Sequence, residues 1–254
     1  MKKSKPLHRT SRGLSQRAEL CRQRGQLMLS VGLFQHPFSA RNPLVTAVST
    51  LVLLVGLVFA SSALADRFEA GVHYRVLATP QPTAADSGQI EVREFFSYAC
   101  PFCRQFYPLM SQFAAAAPDD VLIVHHPVVF REQWDPLARA YLVQSLLDLG
   151  DHVHGAVFVA LYEEQRRLGN KQEFARFFAE IADVDPAQVA AAWDDFDVET
   201  SMRRNQQLAQ AVGVTGTPSI AVNGRYYVDG RMAGSLDGLL QVVAYLIDKE
   251  RQGD

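Results

Sequence analysis

The sequence predicts an α/β protein whose sheet is interrupted by an all-helical insert of about 75 residues. Three observations carry that expectation. Residues 90–124 read strand, helix, strand; residues 219–228 give a strong hairpin signal; and the stretch between them has helical composition without a convincing strand. The chain has 254 residues, 48% apolar and 20% charged, which is the composition of a globular protein.

Each element has its own signal. Residues 90–96, Ile-Glu-Val-Arg-Glu-Phe-Phe, form a strand bounded by the turn chemistry of Asp86-Ser87-Gly88. Residues 100–117 are helical, with Phe106, Leu109, Met110 and Phe113 at spacings of three and four. The short apolar run 121–124 is expected as a second strand, buried on both faces of a parallel sheet. From 135 to 211 the chain is rich in Ala, Leu, Glu, Gln and Arg, with breaks at Gly150, Gly169-Asn170 and Asp185-Pro186, so several helices are expected. Asn223-Gly224 between two β-rich runs supplies the positive φ angles of a type I′ turn. An amphipathic helix over 236–249 closes the chain.

Charge divides the sequence. Residues 1–65 hold nine Lys/Arg and one acid, Glu19, whereas residues 66–254 hold 16 Lys/Arg and 26 Asp/Glu. A basic leader therefore precedes an acidic body, and an acidic body disfavours phosphate-backbone binding, so no nucleic-acid partner is expected. Between Arg41 and Asp66 lie 24 uncharged residues ending in Ser61-Ser62-Ala63-Leu64-Ala65. Ala63 and Ala65 make the A-x-A pattern of signal cleavage, which would leave Asp66 first. The alternative is an uncleaved membrane anchor, since about 17–25 apolar residues span a bilayer. The short dense apolar part and its small-residue end favour the cleaved signal. The basic segment 1–42 is long for a signal; Met28 is a plausible true start, and a mitochondrial transit peptide is the competing reading.

The three cysteines are Cys21, in the leader, and Cys100 and Cys103 in the body. A bridge across two residues closes too small a loop to staple a fold. The pair is then catalytic or half a metal site, and zinc would need further ligands. His125 and His126 are available, yet they read as structural or loop-lining, and no metal is expected. His152 and His154 lie off the i, i+4 ligand spacing of a helix. The acidic run Asp194-Asp195-Phe196-Asp197 reads as a solvated face. Cys100-Pro101-Phe102-Cys103 follows a strand and opens a helix, where unpaired N–H groups and the helix dipole stabilise a thiolate. Pro101 falls where its missing N–H costs least. That position makes Cys100 a nucleophile and lets Cys103 reach back to resolve a mixed disulfide.

The segment Glu94-Phe95-Phe96-Ser97-Tyr98-Ala99-Cys100-Pro101-Phe102-Cys103 resembles the active-site segment of the DsbA family of thiol:disulfide oxidoreductases. Val212-Gly213-Val214-Thr215-Gly216-Thr217-Pro218-Ser219, followed by Val222-Asn223-Gly224, resembles that family's second motif, and the spacing Phe68-x-x-Gly71-x-x-Tyr74-x-x-Leu77 its mature N-terminus. The resemblance implies a thioredoxin fold with an inserted all-helical domain: residues 66–130 and 212–254 form the two parts of the thioredoxin fold, and 131–211 the insertion. It implies a periplasmic enzyme, exported by the signal or anchored facing the periplasm, that donates the Cys100–Cys103 disulfide to unfolded exported proteins. A membrane, quinone-linked partner of the DsbB type would reoxidise it. A monomer without cofactor is expected.

The resemblance also assigns roles. Cys100 is the exposed attacking sulfur, Cys103 the buried resolving one, and Pro218 the cis-proline facing the disulfide. Thr217 and Pro101 are substrate-contacting residues, and Phe102, expected to be exposed between the cysteines, is a further one that meets apolar substrate or partner surface. Glu94 stands where the family carries a buried acid; it is either a proton relay to Cys103 or a partly solvated strand charge. Two departures predict a less oxidising pair. Phe102 stands where strong oxidants carry His, and Thr217 where the oxidase branch often has Val. A disulfide reductase or isomerase is the alternative enzyme, although residues 66–88 leave no room for the dimerisation domain usual in isomerases. A redox-linked chaperone is a further alternative, which would keep protective activity in Cys100→Ser.

Overall fold

The structure is a computed structural model that describes residues 67–253. The leader readings, the cleavage point before Asp66 and Cys21 lie outside the described residues. Five strands form one sheet in the order β1-β5-β4-β2-β3: β1 (Arg75–Val76), β2 (Ile90–Phe96), β3 (Val121–Pro127), β4 (Ser219–Val222) and β5 (Tyr226–Asp229). β2 runs parallel to β3 and antiparallel to β4, with Glu94 beside His125 on one side and Ile220 on the other.

The pleat of β2 organises the core. Ile90 and Val92 face α1 (Pro101–Ala116) and the terminal helix, packing with Phe106, Met110 and Val243. Phe95 points the other way, against Ala209 and Val212. Both faces are thus covered, which is why even Glu91 and Glu94 are buried. Between β3 and β4 lie α2 (Asp135–Leu146), α3 (Asp151–Tyr162), α4 (Lys171–Ala182), α5 (Pro186–Trp193) and α6 (Phe196–Val212). Phe96 and Tyr98 join Phe158, Phe174 and Phe178 of this helical stretch in one apolar cluster, and both Cys100 and Cys103 belong to it. A short α7 (Gly230–Ala233) precedes α8 (Leu236–Gln252). Ser235 caps α8 by accepting the Gly238 N–H, and Leu239, Val242, Val243 and Leu246 form its buried stripe.

The hairpin forms as its sequence demands: Asn223 and Gly224 have φ of 49° and 61°. Gly224 also lies against the backbone of Gln81, whose N–H donates to the Gly224 carbonyl at 2.8 Å, so a Cβ there would collide with the chain.

One expectation needs correction, and two features go beyond the sequence reading. The run 121–124 is not buried on both faces; β3 is an edge strand, half-buried over its first five residues, and it continues to Pro127. Its apolar side chains cover the sheet's margin, where no further strand adds among the described residues. β1 was not foreseen, because two residues carry no periodicity; it exists by pairing with Tyr226 and Tyr227. The 194–197 run is exposed, as expected, but it is more than a solvated face: Asp195 caps α6 by accepting the Asp197 N–H at 2.7 Å, and Asp194 pairs with Lys171.

Candidate active site

Cys100 is the N-cap of α1 and Pro101 its first helical residue, so the helix begins on the sulfur-bearing turn. The Cys100 amide donates to the Ser97 carbonyl at 3.0 Å, closing the turn out of β2. Across from it, the Thr217-Pro218 peptide is cis, and the Cys100 thiol donates to the Thr217 carbonyl at 3.2 Å. Two segments over a hundred residues apart thus meet at one sulfur. Phe102 is 60% exposed beside them, and Pro101 is exposed too. Cys100 is only 7% accessible, a correction to the exposed sulfur the resemblance implied: the helical stretch and the cis-proline loop leave it a small window. Cys103, at 1%, is buried as expected.

The two thiols are pulled apart in acidity. The Cys103 thiol hydrogen-bonds to the Cys100 sulfur, and the Thr217 side chain and the backbone N–H groups of Phe102 and Cys103 add to it. Together they outweigh burial and bring Cys100 down to about 6. Cys103 is pushed well above its ordinary value, first by burial, then by its hydrogen bond to Cys100, the Cys100 charge and the Glu94 charge. At pH 7 roughly ten Cys100 residues are thiolate for each thiol.

The lowered value has a sign that can be measured. A depressed pKa contributes stability that is full above the unfolded value and fades as pH falls through the folded one. The oxidised protein has no such thiol. The reduced form is therefore expected to gain about 3 kcal/mol over the oxidised form between pH 5.5 and 8.5, read by denaturant melts with and without dithiothreitol. A gap that is flat with pH would show that Cys100 is not depressed.

Beneath the dithiol, Glu94 is 3% exposed and lies 2.8 Å from His125 Nδ1. Burial alone would lower His125, but the hydrogen bond and charge of Glu94 win and raise it. Glu94 is thus not a partly solvated charge; it is a buried member of an acid–base pair. The His154 ring of α3 lies against His125, tilted by 34° with ring centroids 4.9 Å apart, and its Nδ1 is hydrogen-bonded to the Tyr98 hydroxyl at 2.7 Å. Burial, then the neighbouring His125, hold His154 well below its ordinary value. His126 points to the other face, donating from Nε2 to the Asn205 carbonyl while Nδ1 accepts from Arg93, which in turn grips Glu91. It is a structural tie, neutral because burial lowers it to about 4.

The structure brings Cys100, Cys103, Phe102, Thr217, Pro218 and Glu94 together. It adds three residues that sequence reasoning missed as site components: His125, His154 and Tyr162. Tyr162 ends α3 and packs on the cluster holding both cysteines; burial first, and then the Cys100 and Cys103 charges, push it up to about 12. Next to it, Glu163 pairs with Arg104, the residue after Cys103.

Comparison with known proteins agrees with this geometry. Residues 85–241 match a thioredoxin family model. The chain is 34% identical over 211 residues to the thiol:disulfide interchange protein DsbA of Pseudomonas aeruginosa, covering 83% of this chain and 97% of that protein. It is 36% identical over 183 residues to the DsbA of Bordetella parapertussis, covering 72% and 87%. The crystal structure of Pseudomonas aeruginosa DsbA superposes with a TM-score of 0.70 at 34% identity, covering 74% of this chain and 97% of that one. DsbA from Xylella fastidiosa gives 0.68 at 34% identity, covering 73% and 98%. The chain belongs to the DsbA family of thiol:disulfide oxidoreductases, with a thioredoxin fold carrying a helical insertion.

Proposed function

We propose that this protein donates the Cys100–Cys103 disulfide to exported proteins. A client thiolate attacks Cys100 Sγ; the intramolecular S–S bond breaks and Cys103 leaves with the electron pair, taking up a proton by way of the Glu94–His125 pair beneath it. The client's second thiolate then attacks its own sulfur in the mixed disulfide, and Cys100 leaves as the stable thiolate. The client loses two electrons and the dithiol gains them. Cys100, Cys103, Pro218 and Glu94 carry the chemistry in this reading, and Phe102, Thr217 and Pro101 meet the client. Residues 66–130 and 212–254 make the thioredoxin part, and 131–211 the insertion that covers the cysteines.

The observation that carries the direction is the asymmetry of the thiols. A low-pKa attacking cysteine stabilises the reduced state, so the oxidised state gives its disulfide away. DsbA itself has a pKa of about 3.5 and a potential of about −120 mV, and thioredoxin about 7 and −270 mV. Cys100 at about 6 lies between them. A potential between theirs, less oxidising than that of DsbA, is therefore expected. Equilibration with glutathione buffers, in protein starting at Asp66, measures it. A value at or below −270 mV would overturn donation in favour of reduction.

Client proteins outside the cytoplasm, a membrane quinone-linked reoxidant of the DsbB type and a monomeric state belong to the same reading. The uncharged run before Asp66 supports export. Among the described residues no helix is long and apolar enough to cross a membrane.

A further inference from the structure

Residues 213–218 leave the end of α6 and carry Thr217 to Cys100, whose thiol donates to the Thr217 carbonyl at 3.2 Å. The far end of this loop is fixed by strand pairing, since Ser219 enters β4 between Phe95 of β2 and Asp229 of β5. The near end is held by Arg75 of β1, 137 residues earlier in the chain, which donates from Nη2 to the Val212 carbonyl at 2.8 Å. Val212 is the last residue of α6 and Gly213 its left-handed cap, with φ of 73°. A cation there meets the negative end of the helix dipole.

Arg75 is itself aimed. It stands opposite Tyr227 in the register of β1 on β5, and its guanidinium lies over the Tyr227 ring, 4.7 Å from the centroid. Tyr227 is buried and packs in one cluster with Ala209, Val212 and Val214. Ring and guanidinium together make a shelf under the end of α6, at the root of the loop.

We propose that Arg75 is a positioning residue for the dithiol: stacked on Tyr227, it fixes where α6 ends and so where Thr217 stands against Cys100. Arg75 touches no reacting atom and acts through the loop. Thr217 is, after Cys103, the strongest influence lowering the Cys100 pKa, so a loop that drifts from the sulfur leaves a less stable thiolate. The inference rests on the donation reading for its consequence, a Cys100 that leaves the client more readily. The acidity itself is a property of the reduced protein, whichever way electrons flow.

The test is the Cys100 pKa in reduced protein starting at Asp66, followed by thiolate absorbance near 240 nm, in Arg75→Met, Arg75→Lys and Arg251→Met. Methionine keeps an unbranched side chain without the donor or the charge. Arg75→Met is expected to raise the value from about 6 by about half a unit to one unit, the worth of one hydrogen bond. The glutathione equilibrium at pH 7 should move with it, about three- to fivefold towards the protein disulfide. Arg75→Lys should rise less, since an ammonium reaches the carbonyl but does not stack as a planar guanidinium does. Arg251 is the control for a merely structural arginine. It grips Asp120 with two hydrogen bonds of 2.8 Å, and Asp120 leads into β3 at the end of the sheet away from the dithiol. Arg251→Met should lose stability and leave Cys100 at about 6. The proposal is overturned if Cys100 stays near 6 in Arg75→Met, or rises equally in Arg251→Met. Should Arg75→Met not fold, Arg75→Lys decides, and an unmoved value there overturns the proposal. Failure of the donation reading shows separately, as unaltered oxidised protein that does not oxidise a two-cysteine peptide.

Discussion

Cys103→Ala is expected to abolish turnover, trap mixed disulfides and raise the Cys100 pKa from about 6 towards its ordinary 9.0. The lost turnover and the trapping both follow from connectivity: without Cys103 there is no intramolecular disulfide to donate, and when Cys100 is captured by oxidised glutathione the protein starting at Asp66 holds no second thiol to release the adduct. The acidity change follows from the hydrogen bond. The Cys103 thiol is the largest single influence lowering Cys100, ahead of Thr217 and the helix amides, so alanine removes the main stabiliser of the thiolate. Thiolate absorbance near 240 nm against pH reads the shift, and mass spectrometry after incubation with oxidised glutathione reads the trapped adduct. A Cys100 pKa that stays near 6 in the variant would show that the helix terminus, not the neighbouring thiol, sets the acidity. Cys100→Ser should lose turnover without trapping anything, because Cys103, buried and with its pKa raised, is a poor nucleophile.

How much of this was legible beforehand depends on sequence distance. The dithiol at a strand–helix junction, the Asn223-Gly224 turn and the stripe of the terminal helix are local patterns, and each appears where its residues imply. Helix breaks were readable at Gly150, Asn170 and Asp185, each of which is an N-cap. The cis-proline opposite Cys100 could be anticipated only through resemblance, since nothing local links residues 217 and 100. The Glu94–His125–His154 assembly was not legible at all. Its members come from β2, β3 and α3, and the register that sets His125 beside Glu94 is a property of strand pairing. A buried carboxylate one strand away from a histidine was the available signal. It needed the knowledge that the 90–96 and 121–127 runs pair in parallel at that offset. Edge or centre for β3 was likewise undecidable from an apolar run, because both positions ask for the same residues on the covered face.

Glu94→Gln is expected to reverse a pH dependence that wild-type protein carries. His125 has a raised pKa in the folded state. A raised value contributes stability that is full below the unfolded pKa, about 6.5, and is lost as pH rises through the folded one. Wild-type protein should therefore lose this contribution above about pH 6.5, whereas Glu94→Gln, with His125 depressed by burial, should gain stability as pH rises through about 6.5. Without the carboxylate, burial acts unopposed on His125, which then stays neutral beside His154. The converse variant is harsher. His125→Phe leaves a carboxylate on a residue 3% exposed without its partner, and breaking a buried pair costs about 3–5 kcal/mol. Because the imidazole retains a quarter of its accessibility, about 2–3 kcal/mol is expected here. The double variant, with no charge left to strand, should recover most of that loss. Denaturant melts at pH 5.5 and 8.5 on the four proteins complete the cycle. Additive losses, or a slope that survives in Glu94→Gln, would show that the two side chains are neighbours without being a pair, and the proton taken up by Cys103 would then need another source.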